Sequence, residues 1–254
     1  MWGAHFAVFG IDFQTMGTFV SVAFAAALLV FYNEACKLGI SQTSFIICAI
    51  AWVVFAPLGG ALLSIIETGE PIVTIFSRTS GSSHLGGFLL GVPAQILISR
   101  IRKIPNLKML DAAMLSWCAG HTIGRLACFF TGDGCYGIST SSWIGMTFPN
   151  GIEPTYNPVY PTPLFESAYS FVIFIAFYWL YVQKSADSYP DGRIFFGAGS
   201  WMFLCRFAVE FIRINPKYEG LSLAQWICLP LVIGFSYANF TLPSKSRTIN
   251  LEST

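Results

Sequence analysis

Residues 45–66 read FIICAIAWVVFAPLGGALLSII, from Phe45 to Ile66 without a single charged side chain. A bilayer core takes roughly 20 apolar residues per spanning helix, so this stretch is long enough to cross one. Working outward, six further runs repeat the pattern: Met16 to Tyr32, Leu85 to Ile98, Asp111 to Phe130, Leu164 to Val182, Ile194 to Ile212 and Leu221 to Tyr237. The composition agrees, with 54% hydrophobic and only 11% charged residues among 254 and a positive mean hydropathy, which exclude an ordinary soluble domain. The expected fold is all-α: one integral membrane domain, residues 1–254, with about seven transmembrane helices. The third run is short. Its start, Gly81-Ser82-Ser83-His84-Leu85-Gly86-Gly87, is polar and glycine-rich, and is expected to enter the membrane as irregular backbone covered by protein or by a wet cavity.

The net charge is only +1, which implies no nucleic-acid partner. The placement of Lys and Arg carries more information. With seven spans, one side receives Lys37, Arg100, Arg102, Lys103, Lys108, Lys184, Arg193, Lys245 and Arg247, and the other Arg78, Arg213 and Lys217. Basic residues concentrate on the cytoplasmic side, so the C-terminal tail, residues 241–254, is expected inside and the N-terminus outside. Met1 to Gln14 carries no Lys or Arg, which fits an outer location and argues against a cleavable signal peptide. The long connection of residues 131–163 then lies outside. Rich in Gly, Pro, Ser, Thr and aromatics, including Trp143, Phe148, Tyr156 and Tyr160, it is expected to form a structured cap at the membrane surface.

Seven cysteines stand at positions 36, 48, 118, 128, 135, 205 and 228, with no CxxC pair and no histidine at zinc spacing. Structural packing is expected for them, and no metal site. Cys128 and Cys135 are close enough in sequence to merit inspection.

The ionisable residues inside the spans are the informative ones, because each costs roughly 2.5–3.5 kcal/mol at mid-membrane on insertion scales and turns inward to a partner. Asp111, Cys118, Thr122 and Arg125 share one face of the fourth span at about 100° per residue, with His121 slightly further round. Arg206, Glu210 and Arg213 form a second stripe on the sixth, where Arg206 can pair with Glu210 one turn away. Glu166 opens the fifth. Guanidinium groups grip phosphate oxygens in bidentate fashion, so inward arginines suggest an anion site, with a phospholipid headgroup as the obvious ligand. A structural salt-bridge network, a transporter or a proton path would use the same residues.

Gly124-Arg125-Leu126-Ala127-Cys128-Phe129, followed by Gly132-Asp133-Gly134-Cys135-Tyr136-Gly137, resembles the signature of prolipoprotein diacylglyceryl transferases. Three more segments are similar to that family in the right order: Ser83-His84-Leu85-Gly86-Gly87, Tyr160-Pro161-Thr162-Pro163-Leu164-Phe165-Glu166, and Arg206-Phe207-Ala208-Val209-Glu210-Phe211-Ile212-Arg213. Leu221 to Gln225 resembles the start of the family's last helix.

The resemblance implies a bacterial plasma-membrane enzyme, without cofactor or metal and expected to be a monomer. Its activity would be transfer of the diacylglyceryl group of phosphatidylglycerol to the thiol of a lipobox cysteine in a preprolipoprotein signal peptide, with release of glycerol phosphate. It implies that Arg125 and Arg206 hold the phosphate, that Glu210 orients Arg206, and that His84 helps to take the thiol proton. Asp133, Gly137, Glu166, Asp111, Gly86, Gly87 and Arg213 join them as expected substrate-binding residues. The chain departs from the family pattern at Met16-Gly17 (family Tyr-Gly), Cys128 (commonly Asn), Leu85 (inserted before the glycine pair) and Tyr160 (family His). Two alternatives follow: a divergent paralogue acting on another phospholipid or acceptor, and a non-enzymatic lipid-binding membrane protein.

Overall fold

In hydrocarbon a backbone N–H or C=O has only other backbone groups for partners, so each apolar run closes into a helix. The structure, a computed structural model, describes residues 3–76, 83–183 and 190–242. Among the described residues there are seven α-helices: α1 Thr15–Lys37, α2 Gln42–Thr68, α3 His84–Ile101, α4 Asn106–Thr131, α5 Thr162–Gln183, α6 Arg193–Val209 and α7 Leu223–Thr241. A helix stands at each of the seven expected positions, the sixth ending early where Glu210–Ile212 tightens into a 3-10 turn. Six of them are long and apolar enough to cross a membrane. The exception, α4, carries Lys108, Asp111 and Arg125 and lies at the centre, packed against α1, α3, α5 and α6. Its neighbours face it where lipid would otherwise be, which relaxes the demand for apolar side chains. Gly81, Ser82, Arg78, Lys184, Lys245, Arg247 and the tail beyond residue 242 lie outside the described residues.

From His84 onward the expected irregular backbone gives way to regular helix. The glycines there serve packing. A Cβ on Gly86 would stand 2.2 Å from the Gly59 carbonyl oxygen, and one on Gly87 2.9 Å from that of Ala56, so α3 and α2 meet backbone to backbone. Further along, Gln95 ties the same pair, its Oε1 accepting from Trp52 Nε1 at 3.1 Å and its Nε2 donating to Cys48 Sγ at 3.4 Å.

At one end of the bundle the chain builds small antiparallel ribbons. β1 His5–Val8 and β2 Ile11–Gln14 pair through a two-residue turn with φ +51° at Phe9 and +79° at Gly10. The residue 131–163 connection folds around β3 Met146–Phe148 and β4 Thr155–Val159, over a core of Tyr136, Phe148 and Val159 that Phe129 of α4 supports. The Tyr136 hydroxyl donates to the carbonyls of Gly132 (2.7 Å) and Glu153 (2.5 Å). Burial pushes that phenol up to about 12, so it remains a donor at neutral pH. β5 Lys217–Tyr218 and β6 Leu221–Ser222 lead into α7, which opens with a capping box between Ser222 and Gln225.

Candidate functional site

Alternating helix direction brings the C-terminal ends of α4 and α6 and the N-terminal ends of α3 and α5 together under the cap. Each end delivers a charged or titratable side chain: Arg125 from α4, His84 from the first residue of α3, Glu166 from α5, Arg206 from α6 and Glu210 from the 3-10 turn beyond it. Arg213 arrives differently. Past the turn the backbone is extended at φ −85°, ψ 157°, and Arg213 forms a bridge with Gly137 of the cap, with Ile138 N–H donating to the Ile212 carbonyl at 2.8 Å. Gly137 permits this approach, since a Cβ would come within 2.4 Å of the Ile212 oxygen. Its role is to let the cap strand close on Arg213.

The six side chains form one continuous chain of contacts. Arg125 Nη2 lies 2.9 Å from His84 Nδ1 and 2.8 Å from Glu166 Oε2. The other oxygen of Glu166 accepts from Arg213 Nη1 at 2.9 Å. Arg213 Nε faces Glu210 Oε2 at 3.7 Å, and Glu210 pairs with Arg206 and accepts from Asn215 Nδ2 at 2.5 Å. Glu166 is fully buried and Glu210 nearly so, while the three arginines are each about nine-tenths buried. The guanidinium can only donate, so His84 Nδ1 is the acceptor and the neutral ring carries its proton on Nε2. Three guanidiniums share two carboxylates in this chain, and the Nε donors of Arg206 and Arg213 are buried with no hydrogen-bond acceptor among the described residues. Buried donors of that kind call for an acceptor, and guanidinium donors suit an anionic one.

Not every expected site residue belongs here. Asp111 lies 14 positions before Arg125, about 21 Å along the helix. Its two oxygens accept from Gly192 N–H (2.8 Å) and Phe195 N–H (2.7 Å), so it caps the start of α6 from a neighbouring helix. The expected outcome for Asp111→Ala is a loss of about 1 kcal/mol of stability, with site activity retained, read by thermal unfolding in detergent beside an activity assay. Gly86 and Gly87 are consumed by the contact with α2. Asp133 Oδ1 accepts from Cys135 N–H at 3.1 Å and shapes the turn that follows α4.

Two residues outside the expected site set join it: His121, interior beside Arg125 as its place on the α4 face predicts, and Asn215. His121 contacts Ser170 Oγ through Nδ1 at 2.7 Å, stands 3.9 Å from Glu166 through Nε2, and its ring centroid is 4.4 Å from that of His84. Its angular offset of only about 40° from Arg125 on the α4 wheel was the available signal. Asn215 had none, because its approach to Glu210 depends on the turn that ends α6. His84, His121 and Glu166 offer ligand atoms within 4.8 Å of one another, yet Arg125 already occupies both His84 Nδ1 and Glu166 Oε2, and a cation there would face a guanidinium. Cys128, Asp133 and Cys135 form a second close group at the cap junction.

Comparison with known proteins follows the same lines. The chain is 26% identical to phosphatidylglycerol–prolipoprotein diacylglyceryl transferase 2 of Clostridium perfringens over 89% of this chain and 90% of that protein. It is 27% identical to the phosphatidylglycerol–prolipoprotein diacylglyceryl transferase of Clostridioides difficile over 95% of this chain and 96% of that one. A 138-residue segment is 35% identical to the enzyme of that name from Leptospira interrogans, covering 54% of this chain and 42% of that protein. The family model described as prolipoprotein diacylglyceryl transferase matches residues 4–240. With the match running from the N-terminal hairpin to the last turn of α7, the chain belongs to the prolipoprotein diacylglyceryl transferase family.

Proposed function

We propose that this chain transfers the diacylglyceryl group of phosphatidylglycerol to the thiol of a lipobox cysteine in a preprolipoprotein. The sulfur forms a bond to the glycerol carbon, the bond from that carbon to the phosphate oxygen breaks, and glycerol phosphate departs. The observation that carries this reading is the convergence of Arg125, Arg206 and Arg213 beneath the cap, with buried Nε donors awaiting an acceptor. Such preorganised donors stabilise the charge that develops on the departing phosphate, and they act strongly in a site without bulk water.

Arg125 and Arg206 hold the phosphate, and Glu210 and Arg213 fix their orientation. When Arg125 turns to the phosphate it releases His84 Nδ1, which then accepts the thiol proton. Binding of lipid thereby frees the base. The acceptor's signal peptide lies against the cap. The described basic residues at the opposite end of the bundle, Lys37, Arg100, Arg102, Lys103, Lys108 and Arg193, support a cytoplasmic placement of that end, with the N-terminus and the site outside in the bacterial plasma membrane.

The test is incubation of the purified protein in liposomes with phosphatidylglycerol and a lipobox peptide, followed by the peptide's mass. The expected result is a diacylglyceryl mass gain that disappears when the peptide cysteine is replaced by serine. No gain, with phosphatidylglycerol still bound, would transfer the reading to a different acceptor, the direction in which Cys128 and Tyr160 depart from the family.

A further inference from the structure

Two cysteines meet where α4 runs into the cap. Cys128 sits in the last turn of α4. The chain then reverses through Gly132 at φ +62° and Gly134 at φ +86°, conformations that suit glycine, and brings Cys135 back against it. The two sulfurs and the Asp133 carboxylate lie within 4.8 Å of one another. Both cysteines are partly buried, whereas Cys48, Cys118 and Cys228 are sealed in the helix core. Arg125 Nη1 donates to Cys128 Sγ at 3.7 Å. The Cys135 carbonyl accepts from Arg213 Nη1 at 3.3 Å and from Thr162 Oγ1 at 2.5 Å, which fixes the position of that residue.

We propose that Cys128 and Cys135 form a reversible disulfide that staples the cap to the end of α4 beside the arginine cluster. The charges decide between this and a metal centre. Two guanidiniums flank the pair against the single Asp133 carboxylate; their excess opposes a bound cation and favours thiolate, the species that reacts in thiol–disulfide exchange. The neighbouring Cys128, aided by Arg125 and Arg213 against burial and the Asp133 carboxylate, holds the Cys135 thiol below the usual thiol range. Cys135 therefore leads. Its thiolate attacks a disulfide-bonded oxidant, forming a mixed disulfide and releasing one thiol; Cys128 then gives up its proton, attacks the Cys135 sulfur and releases the second. Two enzyme thiols become one disulfide and the oxidant becomes two thiols. Closure is intramolecular and depends on the turn alone. Its occurrence in cells rests additionally on the outward placement of the cap proposed above.

The experiment treats the purified full-length protein with glutathione disulfide, blocks free thiols with N-ethylmaleimide, and weighs the proteolytic fragment that carries both cysteines. The expected fragment is unblocked and lighter than the dithiol by two hydrogens. Cys128→Ser and Cys135→Ser should each abolish that species and leave the remaining cysteine blocked or glutathionylated. Two blocked thiols in the wild-type fragment would overturn the proposal, as would zinc bound stoichiometrically to the purified protein and lost from Cys135→Ser. Parallel samples from acid-quenched cells keep the two readings apart. A bridge found there supports both, whereas a bridge that forms only with glutathione disulfide upholds the pair and sinks the outward placement.

Discussion

Arg125→Ala is expected to lower transfer by at least about 10²–10³-fold, the cost of removing one preorganised donor from a developing oxyanion, while the protein still inserts and folds. Folding survives because the span loses a charge rather than gaining one, and because Glu166 keeps its bond to Arg213 at 2.9 Å. Arg125→Lys should rescue little. One guanidinium nitrogen, Nη2, touches both His84 and Glu166, at 2.9 and 2.8 Å, which leaves the other nitrogens of the rigid plane for a phosphate; a single ammonium on a flexible stem lacks that second set of donors. Arg206→Ala belongs to the same class, since its partner Glu210 retains Asn215 and Arg213. The measurement is the initial rate with phosphatidylglycerol and a lipobox peptide, alongside thermal unfolding. Turnover near wild type in a folded Arg125→Ala protein would end the phosphate role, and loss of folding would make the residue structural.

Which residues the sequence can assign to this site depends on how far periodicity reaches. It sets faces well: Arg206 and Glu210 pair as their spacing of four requires, and Arg125 points inward as its stripe demands. It sets distance along the helix only when rise is counted beside angle. Asp111 shares the face of Arg125 but lies at the far end of α4, where the exposed N–H groups of α6 claim its carboxylate. Gly86 and Gly87 show a second limit. A glycine pair beside a histidine fits ligand approach and helix approach equally well, and only the position of Gly59 on α2 decides between them. Arg213 shows a third, because helical phase alone would place it on α6, whereas the 3-10 turn and the bridge to Gly137 bring it in from the cap. The N-terminal hairpin is illegible for a simpler reason: strands of four residues carry too little alternation to stand out beside a 23-residue helix.

Glu166 is where folding and catalysis draw on the same charge, and the two alanine variants at this contact should therefore behave differently. Arg125→Ala leaves Glu166 with one arginine, but Glu166→Ala leaves Arg125 and Arg213 as buried guanidiniums without this carboxylate. Breaking a buried pair from one side costs about 3–5 kcal/mol, so Glu166→Ala is expected to be the least stable single variant of the cluster. Glu166→Gln keeps an acceptor for Arg213 at nearly the same place and should recover much of the stability. It still removes one negative charge, leaving the three arginines with more positive field for an anionic headgroup but without the restraint that aims Arg125. Lipid affinity should hold or rise in Glu166→Gln while kcat falls, a split that separates aim from attraction; in Arg125→Ala both should fall. Weaker lipid binding by Glu166→Gln would contradict this account. A double-mutant cycle on unfolding closes the argument: Arg125→Ala combined with Glu166→Ala should destabilise by less than the sum of the single changes, because removing both partners leaves one fewer unpaired charge than Glu166→Ala alone.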